Sequence, residues 1–224
     1  MRNGARWSVV LWDLDGTLLD SIPSIVRAHH VATEELLGIR LDDSAILRRI
    51  GEPARRRIEA LVPDRSDDVL ARYSKIVEHL GAAAMSPIGG IRGLVRELAA
   101  SGSQQAVVTS RPRRQAEAAI QFLGLAEFFS SLVGLEDTSR HKPDPAPLLR
   151  ALDELSVERW NTVYVGDAVV DIVAAQSASI DSVAVTWGAG SAEELLSARP
   201  TMSARSVAEL RSILFGQRAA QGEL

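Results

Sequence analysis

The chain has 224 residues, of which 46% are hydrophobic and 24% charged, and its 25 Lys and Arg against 29 Asp and Glu leave a net charge of −4. That balance argues against nucleic acid or an anionic membrane as the main partner, since both are met by a basic excess. There is no cysteine, which excludes a disulfide framework, a thiolate zinc site and a cysteine nucleophile, and a chain of this length buries roughly 70% of its unfolded surface without such staples.

The start, Met1 to Arg6, is basic, but the apolar run Trp7–Trp12 meets Asp13 too early for a signal-peptide core. No stretch approaches the ~18 apolar residues of a membrane span. The expected location is the cytoplasm. Ser8 to Trp12 reads as a strand buried on both faces of a parallel sheet, closed by the loop signal Asp15-Gly16-Thr17. Residues 21–86 then contain no convincing strand. Ile22, Val26, Leu36 and Leu37 mark one amphipathic helix, shorter pieces follow around Ala45–Ile50 and Ala54–Val62, and Val69, Leu70, Tyr73, Ile76, Val77 and Leu80 form an apolar stripe at helical spacing. This segment is expected to be an inserted, all-helical unit, with hinges near Asp20–Ile22 and Ser86–Gly90.

Beyond it, strands and helices alternate. Strands are predicted at Gln105–Thr109, Leu132–Leu135, Thr162–Val165 and Ser182–Thr186. Helices are predicted around Leu94–Leu98 (stopped by Gly102), Ala116–Leu123 (stopped by Gly124) and Leu148–Leu155, after a proline-rich start. The pattern predicts a doubly wound, Rossmann-like α/β fold with a parallel sheet. Residues 1–20 and 87–216 would form its core, 21–86 the insertion and 217–224 a tail.

In such a sheet, ligands bind beyond the carboxyl ends of the strands. Asp13 and Asp15 stand at the end of the first strand, a pairing that is electrostatically costly unless a cation or a proton relieves it. Thr109-Ser110-Arg111 ends the second predicted strand and offers a hydroxyl and helix-start amides to a phosphate. His141-Lys142-Pro143 follows the third and supplies a cation. Asp167 and Asp171 end the fourth. Oxygen ligands of this kind favour a hard cation such as Mg²⁺, and with the metal and Lys142 they can cradle a phosphate.

The stretch Asp13–Ser21 (DLDGTLLDS), followed in order by Thr109-Ser110, Lys142 with its Pro-x-Pro, and the Gly-Asp-x-x-x-Asp of 166–171, resembles the haloacid dehalogenase superfamily of phosphatases. The insertion resembles that superfamily's mobile cap, and Thr186–Ser191 is similar to a Trp-Gly segment of its phosphoglycolate phosphatase group. The resemblance implies Asp13 as nucleophile, Asp15 as general acid and base, and Mg²⁺ held by Asp13, the Asp15 carbonyl and Asp167, with Asp171 a further ligand or outer partner. It also implies that Thr109, the Ser110 amide and Lys142 hold the phosphoryl oxygens, and that the substrate is a small phosphorylated metabolite such as phosphoglycolate. A β-phosphoglucomutase-like transferase, a pyrophosphatase and a non-catalytic binding module are the alternative readings. The chain departs from the superfamily pattern at Ala168, where Ser or Thr is common, and at Ser110-Arg111, where Asn-Lys is usual.

Five arginines, Arg48, Arg49, Arg55, Arg56 and Arg57, make the insertion locally basic. Arg56 or a neighbour is the candidate for gripping an anionic substrate, and the others read as a solvated face. Arg111 also reads as solvated, Asp20 and Ser21 as helix-capping or hinge residues, the histidines as structural or exposed, and Trp187 as core.

Overall fold

The structure is a computed structural model and describes residues 5–81 and 84–216; the predicted tail 217–224 lies outside them. Strand β1 (Val9–Trp12) leads to a two-residue strand β2 (Leu19–Asp20), helices α1 (Ile22–Leu37), α2 (Asp43–Leu47), α3 (Ala54–Leu61) and α4 (Ser66–Leu80), and a second two-residue strand β3 (Ser86–Pro87). Helices and strands then alternate: α5 (Ile91–Ala100), β4 (Gln104–Val108), α6 (Arg113–Phe122), β5 (Ser131–Val133), α7 (Ala146–Leu155), β6 (Thr162–Gly166), α8 (Val169–Ser177), β7 (Asp181–Val185), α9 (Ala192–Ser197), β8 (Met202–Ala204) and α10 (Val207–Phe215).

The main sheet has six parallel strands in the order β5-β4-β1-β6-β7-β8. The doubly wound α/β expectation therefore holds, with one strand more than predicted. That strand, β8, is three residues long, with only Ala204 buried, so it lacks the apolar run by which the inner strands announce themselves. β1 lies at the centre because all four of its residues are apolar and buried, as a strand covered by helices on both faces requires. Its side chains alternate between two cores. Val10 and Trp12 join Leu94, Val95 and Leu98 of α5, whereas Val9 and Leu11 join Leu148, Ala151 and Leu152 of α7. The buried polar groups inside the sheet are paired: Trp12 Nε1–H donates to Gln105 Oε1 at 3.1 Å, and Gln105 Nε2–H to the Val95 carbonyl at 3.0 Å.

Helices α1, α3 and α4, with Val62 just past α3, carry a separate apolar cluster of Ala28, Ala32, Ile58, Val62, Val69 and Tyr73, against which Leu70, Ile76 and Val77 of the predicted α4 stripe also pack. This helical layer is joined to the sheet through β2 and β3, which pair antiparallel, Leu19 with Pro87 and Asp20 with Ser86.

The register of β1, with Trp12 opposite Val107 on one side and Val165 on the other, sets Asp13, Thr109 and Asp167 along one edge. Leu11→Ala would leave a void at the middle of this sheet, so we expect a loss of about 2–5 kcal/mol. It should read as a lower denaturation midpoint at unchanged slope.

Candidate active site

Asp13 leaves β1 still tied to the sheet, its N–H donating to the Val165 carbonyl at 2.9 Å. Its carboxylate Oδ1 accepts from Lys142 Nζ at 2.9 Å. Lys142 follows β5 and is fully buried. Its ammonium group also donates to Asp171 Oδ1 at 2.6 Å and to the Tyr164 hydroxyl at 3.0 Å, so all its N–H groups are engaged. Asp171, in the first turn of α8, takes the Ala168 N–H on Oδ2 at 3.0 Å and so closes that helix end as well.

Asp167 accepts from Thr17 Oγ1 at 3.0 Å and from the Ala189 N–H at 2.7 Å. It is wedged between two glycine backbones, because a Cβ on Gly16 or on Gly188 would sit 2.2 or 2.1 Å from its Oδ2. Gly16 also has a φ of +82°, which only glycine adopts freely. These two positions explain why the Asp-Gly after β1 and the Trp-Gly after β7 are glycines at all.

Asp15 is placed differently. Its two oxygens accept from Arg111, with Nε 3.0 Å from Oδ2 and Nη2 in close contact with Oδ1, and Ser21 Oγ donates to Oδ1 at 2.5 Å. Arg111 is buried, which corrects its expected solvated role: at the first residue past a strand-end hydroxyl pair, its side chain turns back over the sheet edge to the only type of group that can neutralise it there. Ser21 likewise makes no side-chain capping bond to α1, and its hydroxyl serves Asp15 instead. Thr109 is buried, and its Oγ1 accepts the Arg111 N–H at 3.2 Å. Ser110 Oγ donates to the Gly51 carbonyl of the helical layer at 2.6 Å. Trp187 packs partly buried against the main core, its Nε1–H directed to the Thr17 carbonyl at 3.3 Å.

Burial pushes the Asp13 carboxyl well above the usual carboxylate range despite Lys142, and Asp171 and Asp167 add to the shift. Burial and Asp171 push Asp167 up to about 7. On Lys142, burial favours the neutral amine, but Asp13 and Asp171 outweigh it and hold the ammonium charged. Burial alone would raise Asp15 too, yet Arg111 and Ser21 hold it below the ordinary value.

Asp13, Asp15, Thr109 and Arg111 face Gly51, Arg57 and Tyr73 of the helical layer across a cavity of about 90 Å³. Arg56 is exposed and does not line it, whereas Arg57 is buried and does. Helix α3 turns Arg57 and Ile58 inward and leaves Arg55 and Arg56 outside, so of Arg56 and its neighbours in this helix it is Arg57 that meets the cavity. His29 and His30 are buried structural residues, as expected.

The family model for haloacid dehalogenase-like hydrolases matches residues 10–185. The chain belongs to this family. A phosphoglycolate phosphatase of Rhodospirillum rubrum is 34% identical over 191 residues, covering 80% of this chain and 79% of that protein. A protein of Caldanaerobacter subterraneus subsp. tengcongensis, provisionally named pyrophosphatase PpaX, is 32% identical over 93% of this chain and 95% of its own. Among solved structures, a Bacteroides fragilis protein provisionally described as a haloacid dehalogenase-like hydrolase superposes with a TM-score of 0.85 at 25% identity, covering 91% of this chain and 99% of that one. The superfamily resemblance read from the motifs is thus established. Among the described residues of this haloacid dehalogenase-like hydrolase, no helix is long and apolar enough to cross a membrane.

The residues also fit a hard cation. Asp13, Asp167 and Asp171 bring carboxylate oxygens within 4.8 Å of one another, all buried. With Asp15 paired to Arg111 and only Lys142 among the other three, full ionisation would leave two negative charges uncompensated in a low-dielectric site, which a divalent ion would balance. Since Asp167 holds its proton up to about 7 in the ion-free site, the folded state binds more protons than the unfolded chain between roughly pH 4 and 7. The contribution of Asp167 to the stability of the metal-free protein therefore falls as pH rises through that window. A cation must displace this proton. We therefore expect Mg²⁺ to raise the melting temperature more at pH 8 than at pH 6, measured by thermal unfolding with and without the ion.

Proposed function

We propose that the chain is a Mg²⁺-dependent phosphatase acting on a small phosphate monoester through an aspartyl phosphate. The observation that carries this reading is the Asp13 carboxylate, fixed by Lys142 at the floor of a cavity whose wall is Asp15. In the first half-reaction an Asp13 oxygen attacks phosphorus, the bond to the ester oxygen breaks, and Asp15 delivers a proton to the departing alkoxide. In the second, Asp15 takes a proton from water, the hydroxide attacks the acyl phosphate, and inorganic phosphate leaves with the Asp13 carboxylate restored. The ionised form in which Arg111 and Ser21 hold Asp15 is the form needed for this second half.

Lys142 and Thr109 supply charge and a hydroxyl to the phosphoryl oxygens. Asp13, Asp167 and the Asp15 carbonyl would hold the Mg²⁺, which supplies charge neutralisation for the phosphoryl group. Asp171 accepts from Lys142 on Oδ1 and from the Ala168 N–H on Oδ2, so its role in this scheme is to position Lys142. Residues 21–86 act as a cap, hinged at β2 and β3, whose closure over the site excludes bulk water.

A pyrophosphatase is the second reading. It is favoured by the ionised Asp15, because a departing phosphate needs less help from a proton than an alkoxide does. Asp13→Asn is expected to cut kcat at least about a thousandfold under either reading, with the melting temperature preserved. The activity ratio on pyrophosphate and phosphate esters, assayed with Mg²⁺, separates the two. Wild-type turnover by the Asn variant would remove Asp13 from the mechanism.

A further inference from the structure

The helical layer places its arginines in an unexpected order of charge. Several of its solvated arginines have acidic partners: Arg49 pairs with Glu52, Arg55 with Glu59 and Asp67, Arg65 with Asp68, and Arg72 with Glu35, while Arg27, Arg48 and Arg56 stand in solvent, where an unpaired charge is cheap. Arg57, only 4% exposed, has none among the described residues. Its Nε–H donates to His29 Nε2 at 3.1 Å, Nη1 to the Glu52 carbonyl at 3.1 Å, and Nη2 to the Tyr73 hydroxyl at 3.2 Å.

All three partners are neutral. The His29 Nδ1 stands 2.8 Å from the Ile25 carbonyl, so it carries the ring proton and leaves Nε2 as a pure acceptor. Burial and the Arg57 charge hold the His29 pKa down to about 3. Asp15 feels the Arg57 charge but is already gripped by Arg111.

A guanidinium has five N–H groups. Three are committed to His29, Glu52 and Tyr73, so each terminal nitrogen of Arg57 keeps one. A buried cation held by neutral acceptors is costly until an anion joins it. Arg57 lines the same cavity as Asp13 and Asp15, from the opposite side.

We infer that Arg57 is a specificity-determining residue that holds a second anionic group of the substrate, a carboxylate or a second phosphate, separated by very few atoms from the phosphoryl group transferred to Asp13. The cavity of about 90 Å³ between Asp13 and Arg57 favours a short spacing, being well below the ~300–1,000 Å³ of ordinary small-molecule sites. A short acid phosphate or pyrophosphate suits that spacing better than a hexose phosphate does. His29 and Tyr73 act as positioning residues that aim the guanidinium without neutralising it. This inference rests on the phosphatase reading.

The test compares kcat/KM, with Mg²⁺, for phosphoglycolate, pyrophosphate and ethyl phosphate, which has no second anion, in the wild type, Arg57→Met and Arg57→Lys. In the wild type, one or both anionic substrates should exceed ethyl phosphate, and which one does so identifies the second group. In Arg57→Met that preference should shrink by roughly 30-fold or more, mainly through KM, as expected when one partner of a buried charge pair is removed. Arg57→Lys, which keeps the charge but not the paired donors, should be intermediate. A wild type that prefers ethyl phosphate or does not discriminate overturns the inference, whether or not the Met variant folds. Wild-type preference persisting in a folded variant overturns it as well. Absence of hydrolysis of all three substrates by the wild type strikes instead at the phosphatase reading itself.

Discussion

One ammonium group makes the meeting of strand ends possible. Asp13 follows β1 and Asp171 follows β6, and without Lys142 between them two buried carboxylates would face each other in a medium that screens them poorly. Lys142 arrives from the loop after β5, at the other side of the sheet, so its charge also ties together segments remote in sequence. Tyr164 completes the arrangement: from β6 its hydroxyl donates to the Val108 carbonyl of β4 at 2.9 Å while accepting from Lys142. The ammonium therefore has one orientation, and so does the Asp13 oxygen it holds. Pre-set geometry of this kind lets a nucleophile act without reorganising its surroundings.

The two departures from the superfamily pattern meet at one place. Ser110 donates to the Gly51 carbonyl, and a Cβ on Gly51 would lie 2.9 Å from the Ala168 methyl and 2.6 Å from Val170 Cγ2. The helical layer thus touches the core where a short hydroxyl replaces a long amide and a methyl replaces a hydroxyl. Gly51, at a φ of +96°, is suited to that close approach because it has no side chain to lose in it. The substitutions and the glycine form one seat for the loop between α2 and α3.

Much of this was legible in the sequence because the acids and the lysine sit where apolar runs stop, and the end of a buried parallel strand is a position that pattern alone reveals. The inner strands and the helices α1, α3 and α4 were readable for the same reason, through long apolar runs and stripes. What escaped was short or was decided by distant partners. β8 is too brief and too exposed to carry a pattern. Arg111 and Ser21 look like a surface charge and a helix cap until the fold brings Asp15 to them. Arg56 and Arg57 are indistinguishable as letters, and only the rotation of α3 against α1 and α4 separates an outer arginine from an inner one.

The β2–β3 ladder has a consequence for how such a molecule can change over generations. Its strands leave and re-enter the sheet domain side by side, at the spacing of neighbouring strands, about 4.8 Å. Everything between Asp20 and Ser86 is therefore a cassette with adjacent ends. A longer, shorter or unrelated module could be spliced in there without disturbing the register of β1, so long as Ser21 keeps its bond to Asp15. The acids at the sheet edge and the helical layer that faces them can accordingly diversify largely independently.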